Sequence, residues 1–142
     1  MDENKLKQKY LEMQTIQQQA NQVREQLSQL QEQVDEIHLV ASSLDELKDI
    51  NKGDEILVPI VNGIFIKAQV LDTDHVKMNV GSGTVTDKTI DQAKTLLLSQ
   101  AGEIEEIRDK LSGLFEELSK RALSIEKESQ ELIEEYKAEL NV

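Results

Sequence analysis

From Met13 to Leu44, apolar residues recur at intervals that alternate between three and four: Met13, Ile16, Ala20, Val23, Leu27, Leu30, Val34, Ile37, Ala41 and Leu44. Every a and d position of a heptad is filled, which is the requirement for knobs-into-holes packing against a second helix. A second run of the same kind begins near Ile90 and continues almost to the C-terminus, with its clearest seam at Ile104, Ile107, Leu111, Leu114 and Leu118. Beyond Leu118 the strict heptad places Arg121, Glu128 and Glu135 at d, while Ile125 and Leu132 still hold a. Ala122, Ser129 and Tyr136 lie one step along and can serve instead through a local shift in register. The first helix weakens similarly at its free end, where Lys9 occupies a seam position. Both seams thus lose quality at the tip that carries the two termini.

Between the helices the period switches to two. Glu55 to Val61 and Ile64 to Leu71 are rich in Ile and Val and are joined by Asn62-Gly63, a strong hairpin signal that predicts a type I′ turn. A two-residue loop would set Val61 opposite Ile64, Ile60 opposite Phe65 and Val58 opposite Lys67. Pro59 has no N–H to give to a ladder, so its strand belongs at an edge or carries a bulge. A turn at Asp72-Thr73-Asp74 leads to a second hairpin, His75 to Val80 and Thr84 to Thr86, around Gly81-Ser82-Gly83. Val76, Met78 and Val80 alternate with His75, Lys77 and Asn79, one covered face against one wet face. Ile56-Leu57-Val58 and Ile64-Phe65-Ile66, by contrast, are apolar on both faces. Two short hairpins are marginal in water by themselves. The missing cover must come from other chains.

The first helix is expected from about Asn4 to about Leu47, with Gly53 suited to a C-terminal cap. The second opens at Thr89-Ile90-Asp91-Gln92, which fits the capping box S/T-x-x-E/Q, and runs to about Leu140. At about 1.5 Å per residue these are rods of roughly 60–65 and 75 Å. Folding back into an antiparallel coiled coil is the least costly way to bury both stripes. The reading is an α+β chain in three segments: an N-terminal coil helix over 1–50, a double-hairpin oligomerisation segment over 51–88 and a C-terminal coil helix over 89–142.

Composition supports this over an ordinary globular domain. Aromatic residues are 3% of the 142 and charged residues 31%, so a large compact core cannot be built, whereas a coil needs only one apolar stripe per helix. The net charge is −12 and no Lys/Arg block occurs, which speaks against nucleic acid as a partner. There is no Cys to form a disulfide or thiolate metal site, and no apolar stretch of membrane-spanning length. A cytoplasmic protein is the expectation.

No pattern for catalysis emerges. Asp72-Thr73-Asp74-His75 lacks the further oxygen ligands of a calcium loop and reads as a turn. Gly81-Ser82-Gly83 lacks the Lys-Ser/Thr of a phosphate loop. His38 lies beside a helix seam, far in sequence from His75, and acidic pairs such as Glu105-Glu106 sit on charged faces. The apolar residues near the termini are different. Leu6, Tyr10, Leu11, Met13, Leu132, Ile133, Tyr136, Leu140 and Val142 exceed what a two-helix seam can cover, and they make a candidate apolar patch at the tip of an acidic arm.

The run Ile56-Leu57-Val58-Pro59-Ile60-Val61-Asn62-Gly63-Ile64-Phe65-Ile66-Lys67-Ala68, followed by Val80-Gly81-Ser82-Gly83-Thr84-Val85 and Lys88-Thr89-Ile90, resembles the archaeal alpha-type subunits of the prefoldin family. The match follows the order coil, two hairpins, coil over essentially the whole chain. The resemblance implies a hexamer of two alpha-type and four beta-type subunits whose hairpins join into intersubunit β-barrels, with six coils hanging from that body. It implies an ATP-independent holding chaperone, without cofactor, that captures non-native proteins and passes them to a group II chaperonin. Residues expected in the oligomerisation hairpins are Ile56, Val58, Ile60, Ile64, Phe65, Ile66, Val76, Met78, Val80 and Val85. The competing expectation is a coiled-coil spacer or scaffold without affinity for unfolded chains, which would keep sound seams to its tip.

Overall fold

The computed structural model describes residues 2–141. Its elements are α1 (Asp2–Glu46), a 3₁₀ turn (Leu47–Asp49), β1 (Glu55–Val61), β2 (Ile64–Gln69), β3 (His75–Asn79), β4 (Val85–Thr89) and α2 (Ile90–Leu140). The chain divides into two compact units, residues 1–32 with 105–142 and residues 33–104.

In the first unit the two helices pair antiparallel. The α1 seam is as read from the heptads: Ile16 and Val23 are buried, and Met13, Ala20, Leu27 and Leu30 are half-buried. The α2 seam differs. Ile107 and Leu114 are 51% and 43% exposed, while Arg108 and Phe115 are half-buried in their stead. The inward row continues one step along through Ala122, Ile125, Ser129, Leu132 and Tyr136, with Ile125 at 0% exposure. The alternative row weighed only beyond Leu118 thus holds from Arg108 onward. A helix of 3.6 residues per turn drifts against a strict heptad, so two candidate d rows lie only 100° apart, and the partner's shape selects between them. Phe115 brings more area to the interface than Leu114, and the Arg24 guanidinium lies over its ring, 5.6 Å from the centroid. Arg121, Glu128 and Glu135 accordingly leave the seam and line one flank, so α2 does not lose its seam toward the C-terminus.

In the second unit, Val34 and Ala41 of α1 and Ala93 and Ala101 of α2 are all buried. Lys94 reaches Asp45 at 2.6 Å and Lys48 reaches Asp91 at 3.3 Å. The capping box at the start of α2 is formed as its sequence predicts. The Thr89 amide donates to Gln92 Oε1 and the Gln92 amide to Thr89 Oγ1, both at 3.1 Å. Gly53 does not cap α1. The helix tightens into the 3₁₀ turn, and Gly53, with φ at +93°, starts the hairpin by donating to the Val70 carbonyl at 2.7 Å.

The strands form two separate two-stranded sheets, β1–β2 and β3–β4. Val61 opposes Ile64 as expected, but Phe65 faces Pro59 and Val58 faces Ile66, with Ile60 left over as a bulge. The missing N–H of Pro59 accounts for a break in the ladder at this place, and one inserted residue re-pairs everything behind it. In the Asn62-Gly63 turn only Gly63 has a positive φ, +80°, so the turn is not type I′, which needs both. β4 extends to Thr89, three residues past the expected strand end, and feeds directly into α2. The alternation in β3 holds for Val76 and Met78, half-buried, against His75, Lys77 and Asn79, exposed, but Val80, expected on the covered face, is exposed and lies past the strand end.

Candidate functional site

Among the described residues, two apolar surfaces bear on function, one in each unit. In the second unit it is the β1–β2 hairpin. Leu57, Ile60, Val61, Ile64, Phe65 and Ile66 are each 50–63% exposed, on both faces of the ribbon. Fully burying a large apolar side chain is worth ~1.5–3 kcal/mol, so each of these leaves roughly 1 kcal/mol unused. That sum is large for a ribbon of two strands, and natural chains seldom expose such a surface without a partner for it. Of the hairpin residues named from sequence, Ile60, Ile64, Phe65, Ile66, Val80 and Val85 are exposed, whereas Ile56, Val58, Val76 and Met78 are half-buried. Leu57 and Val61 belong to the same surface and were not singled out. The signal for them was the unbroken apolar run itself, which has no wet face.

In the first unit the uncovered residues flank the coil near its termini. Tyr10 is 64%, Leu11 55%, Ile133 41% and Leu140 68% exposed. Leu6, Met13, Leu132 and Tyr136 are half-buried and serve the seam, and Val142 lies outside the described residues. The candidate tip residues therefore separate into four that close the coil and four that face outward. Leu123, 66% exposed, joins the outward group. Only its position off both candidate seams could have disclosed it.

Charged side chains organise the same region. Lys9, the seam lysine, binds Glu128 at 2.5 Å, and Arg121 binds Glu12 through its guanidinium. The hydrogen bond from Lys9 holds the Glu128 carboxyl below the usual carboxylate range, and the hydrogen bond to Glu12 raises Arg121 further. A cation in the seam is thus answered by a carboxylate at its rim. These are long-range pairs between helices, so they specify the antiparallel register more than they stabilise it.

The Asp72–His75 segment is a turn. Asp72 Oδ1 accepts the Asp74 amide at 2.8 Å and the His75 amide at 3.3 Å, and Oδ2 lies 3.1 Å from His75 Nδ1. The Asp74 amide foremost, then His75, lowers the Asp72 carboxyl below its ordinary value. Among the described residues no group of three or more His, Asp or Glu is placed to hold a metal ion, and no helix is long and apolar enough to cross a membrane.

Comparison with known proteins gives a consistent result. Residues 16–135 match the family model described as Prefoldin subunit. The chain is 33% identical over 122 residues to the Prefoldin subunit alpha of Pyrococcus horikoshii, covering 85% of this chain and 82% of that protein. It is 28% identical over 111 residues to the Prefoldin subunit alpha of Methanococcoides burtonii, covering 78% and 80%. Among solved structures, a cryo-EM structure of filamentous PFD from Methanocaldococcus jannaschii shares the fold, with a TM-score of 0.73 at 18% identity over 82% of this chain and 96% of that one.

Proposed function

This chain belongs to the prefoldin family, as a chaperone subunit of the archaeal alpha type, and we propose that it captures non-native proteins with the outward-facing side chains at the end of its coil. The observation that carries this reading is the exposure of Tyr10, Leu11, Ile133 and Leu140 on a coil whose seam is already filled. The two helices leave much of each side chain uncovered, and exposed apolar groups at a coil end suit contact with other apolar chains. The hairpin surface has the complementary role in this reading. Two hairpins per chain pair with beta-type neighbours on both sides, two alpha-type with four beta-type subunits, and build β-barrels in which Ile60, Ile64, Phe65 and Ile66 are covered. Each coil end binds weakly, and several acting on one client hold it through effective concentration, which leaves it free to depart toward a group II chaperonin. Capture is by binding alone, without nucleotide, in the cytoplasm. The acidic net charge of −12 keeps the empty chaperone from associating through its own exposed ends.

A spacer or scaffold is the second reading, and the α2 seam that stays intact to Tyr136 favours it. The experiment that separates the two mixes the chain with a beta-type partner and a chemically unfolded test protein, without nucleotide, and follows aggregation by light scattering. Suppression near stoichiometric ratio is expected. Removing residues 1–10 and 133–142 is expected to abolish it while leaving the complex assembled. No suppression by an intact complex, or suppression that survives the truncation, overturns the proposal.

A further inference from the structure

The turn between β1 and β2 combines two features that bear on its chemical lifetime. Asn62 is followed by Gly63, and nowhere else in the chain does an asparagine precede a glycine. Asparagine is among the residues that heat degrades chemically. The nucleophile nearest to its carboxamide is the amide nitrogen of the next residue, and a side chain on that residue obstructs the approach. Here nothing obstructs it. Asn62 and Gly63 are both exposed, and a Cβ at Gly63 would meet nothing within 4 Å. Asn79, by contrast, precedes the β-branched Val80, and its Oδ1 is engaged by the Gly81 amide at 3.0 Å. Asn51 precedes Lys52. Ring closure also requires the main chain at the turn to rotate until the Gly63 nitrogen reaches Asn62 Cγ. Gly63, at a φ of +80°, has the conformational range for this. A ribbon of two strands is marginal without cover, so in the lone chain its tip opens readily.

We infer that Asn62 is a self-modification site, which converts to aspartate and isoaspartate in the unassembled chain and so withdraws that chain from assembly. The Gly63 amide gives its proton to hydroxide or a buffer base, and its nitrogen attacks Asn62 Cγ. The new N–Cγ bond closes a five-membered imide, the Cγ–Nδ2 bond breaks, and Nδ2 takes up a proton and leaves as ammonia. Water then opens the imide at either carbonyl. One opening gives aspartate; the other gives isoaspartate, whose main chain runs through the former side chain. Both products place a carboxylate beside Val61 and Ile64, which are 60% and 58% exposed. Isoaspartate also adds one carbon to the main chain of a two-residue loop, and the length of that loop sets Val61 against Ile64. The link to assembly rests on the hairpin reading above, in which a neighbouring subunit covers this ribbon. Such a neighbour needs the turn uncharged and in register, because burying an unpaired carboxylate is costly. The same neighbour holds the ribbon closed, which keeps the Gly63 nitrogen from reaching Cγ.

The test ages the chain in mildly alkaline buffer, alone and assembled with its beta-type partner, and follows each asparagine by digestion and mass spectrometry. In the lone chain Asn62 is expected to convert severalfold faster than Asn51 or Asn79, and severalfold faster than Asn62 does in the complex. Aged chain mixed with fresh partner is expected to give severalfold less hexamer by native mass spectrometry, with the unconverted chains enriched in what forms. Asn62→Gln, whose closure needs a less accessible six-membered ring, is expected to assemble as fully after ageing as before. No conversion at Asn62 in the lone chain overturns the site. Equal conversion in the lone and assembled chain, aged chain that assembles as fully as fresh, or an equal loss in aged Asn62→Gln overturns its link to assembly. Fresh chain that forms no hexamer removes the assembly reading itself. That outcome is separate, since the site is read on the lone chain.

Discussion

Ile125 and Ile107 are the same residue type on the same helix, and the structure assigns them opposite environments. Ile125 is 0% exposed and Ile107 51%. Replacing Ile125 by Ala removes three carbons from a sealed position, a transfer cost of ~2.4 kcal/mol at ~0.8 kcal/mol per methylene, to which a cavity contribution is added. Two helices close on a gap more readily than a globular core does, so a total of about 3 kcal/mol is expected, near the low end of the range for such changes. Ile107→Ala forfeits roughly half the transfer cost and leaves no cavity, and the better helix propensity of Ala, which applies equally at Ile125, offsets ~0.4 kcal/mol of it. Less than ~1 kcal/mol remains. The two variants should therefore differ by about 2 kcal/mol, more than a tenfold difference in the folding equilibrium.

Urea denaturation of the full chain, followed by far-UV circular dichroism under identical conditions, reads this difference as a shift in midpoint at constant slope. Amide exchange along α2 localises it. Equal destabilisation by Ile107→Ala and Ile125→Ala would refute the seam described here and restore the row through Ile107 and Leu114. Leu114→Ala, at 43% exposure, is a built-in repeat of the Ile107 measurement.

Phe65→Asp places a charge on the uncovered hairpin, where a barrel junction would bury it; loss of the hexamer by native mass spectrometry is expected, and a normal hexamer would show that Phe65 stays open to water. The carboxyls of Asp45 and Glu128 are depressed chiefly by hydrogen bonds from Lys94 and Lys9. A depressed folded value means that their stabilising contribution is complete above the ordinary carboxylate range and is lost as pH falls through the lower, folded values. A carboxylate NMR titration should place both below the ordinary range and return Asp45 to it in Lys94→Met; an ordinary value in the unmodified chain would contradict the pairing.

The sequence disclosed the architecture because both periodicities in it are strong and local. Ten successive seam residues of α1, the Thr89–Gln92 capping box and the Asn62-Gly63 turn all depend on neighbours within a few positions, and each is found where it was expected. What failed depends on a partner. The α2 seam required choosing between Leu114 and Phe115, adjacent residues with similar claims to burial, and the choice is made by α1 through Arg24 and the facing holes. The β1–β2 register required knowing whether Pro59 would break the ladder at an edge or by inserting Ile60. Periodicity is blind to both, since each alternative satisfies the pattern. The misjudged seam also had a consequence for function. A supposed decay of packing toward the termini was an argument for a binding tip, and that argument is replaced by a different one, the exposure of Tyr10, Leu11, Ile133 and Leu140 beside a sound seam.

That replacement changes what the coil end has to do. A frayed tip would bind clients by offering its own core, and binding would then compete with folding. Here the seam uses only two of every seven positions, and the rows beside it are free to take other work. One row carries Arg121 and Glu128, whose pairs with Glu12 and Lys9 fix which residues meet across the helices. The other carries Tyr10, Ile133 and Leu140, much of whose side chains the two helices leave uncovered. Register and exposed apolar surface thus occupy opposite sides of one seam, so a mutation can weaken one without the other. A polar residue at Ile133 should leave the helix pairing intact, whereas a polar residue at Ile125 should unfold it. The coil can therefore remain folded while its apolar flank is empty, which is the state in which a holding chaperone waits for a client.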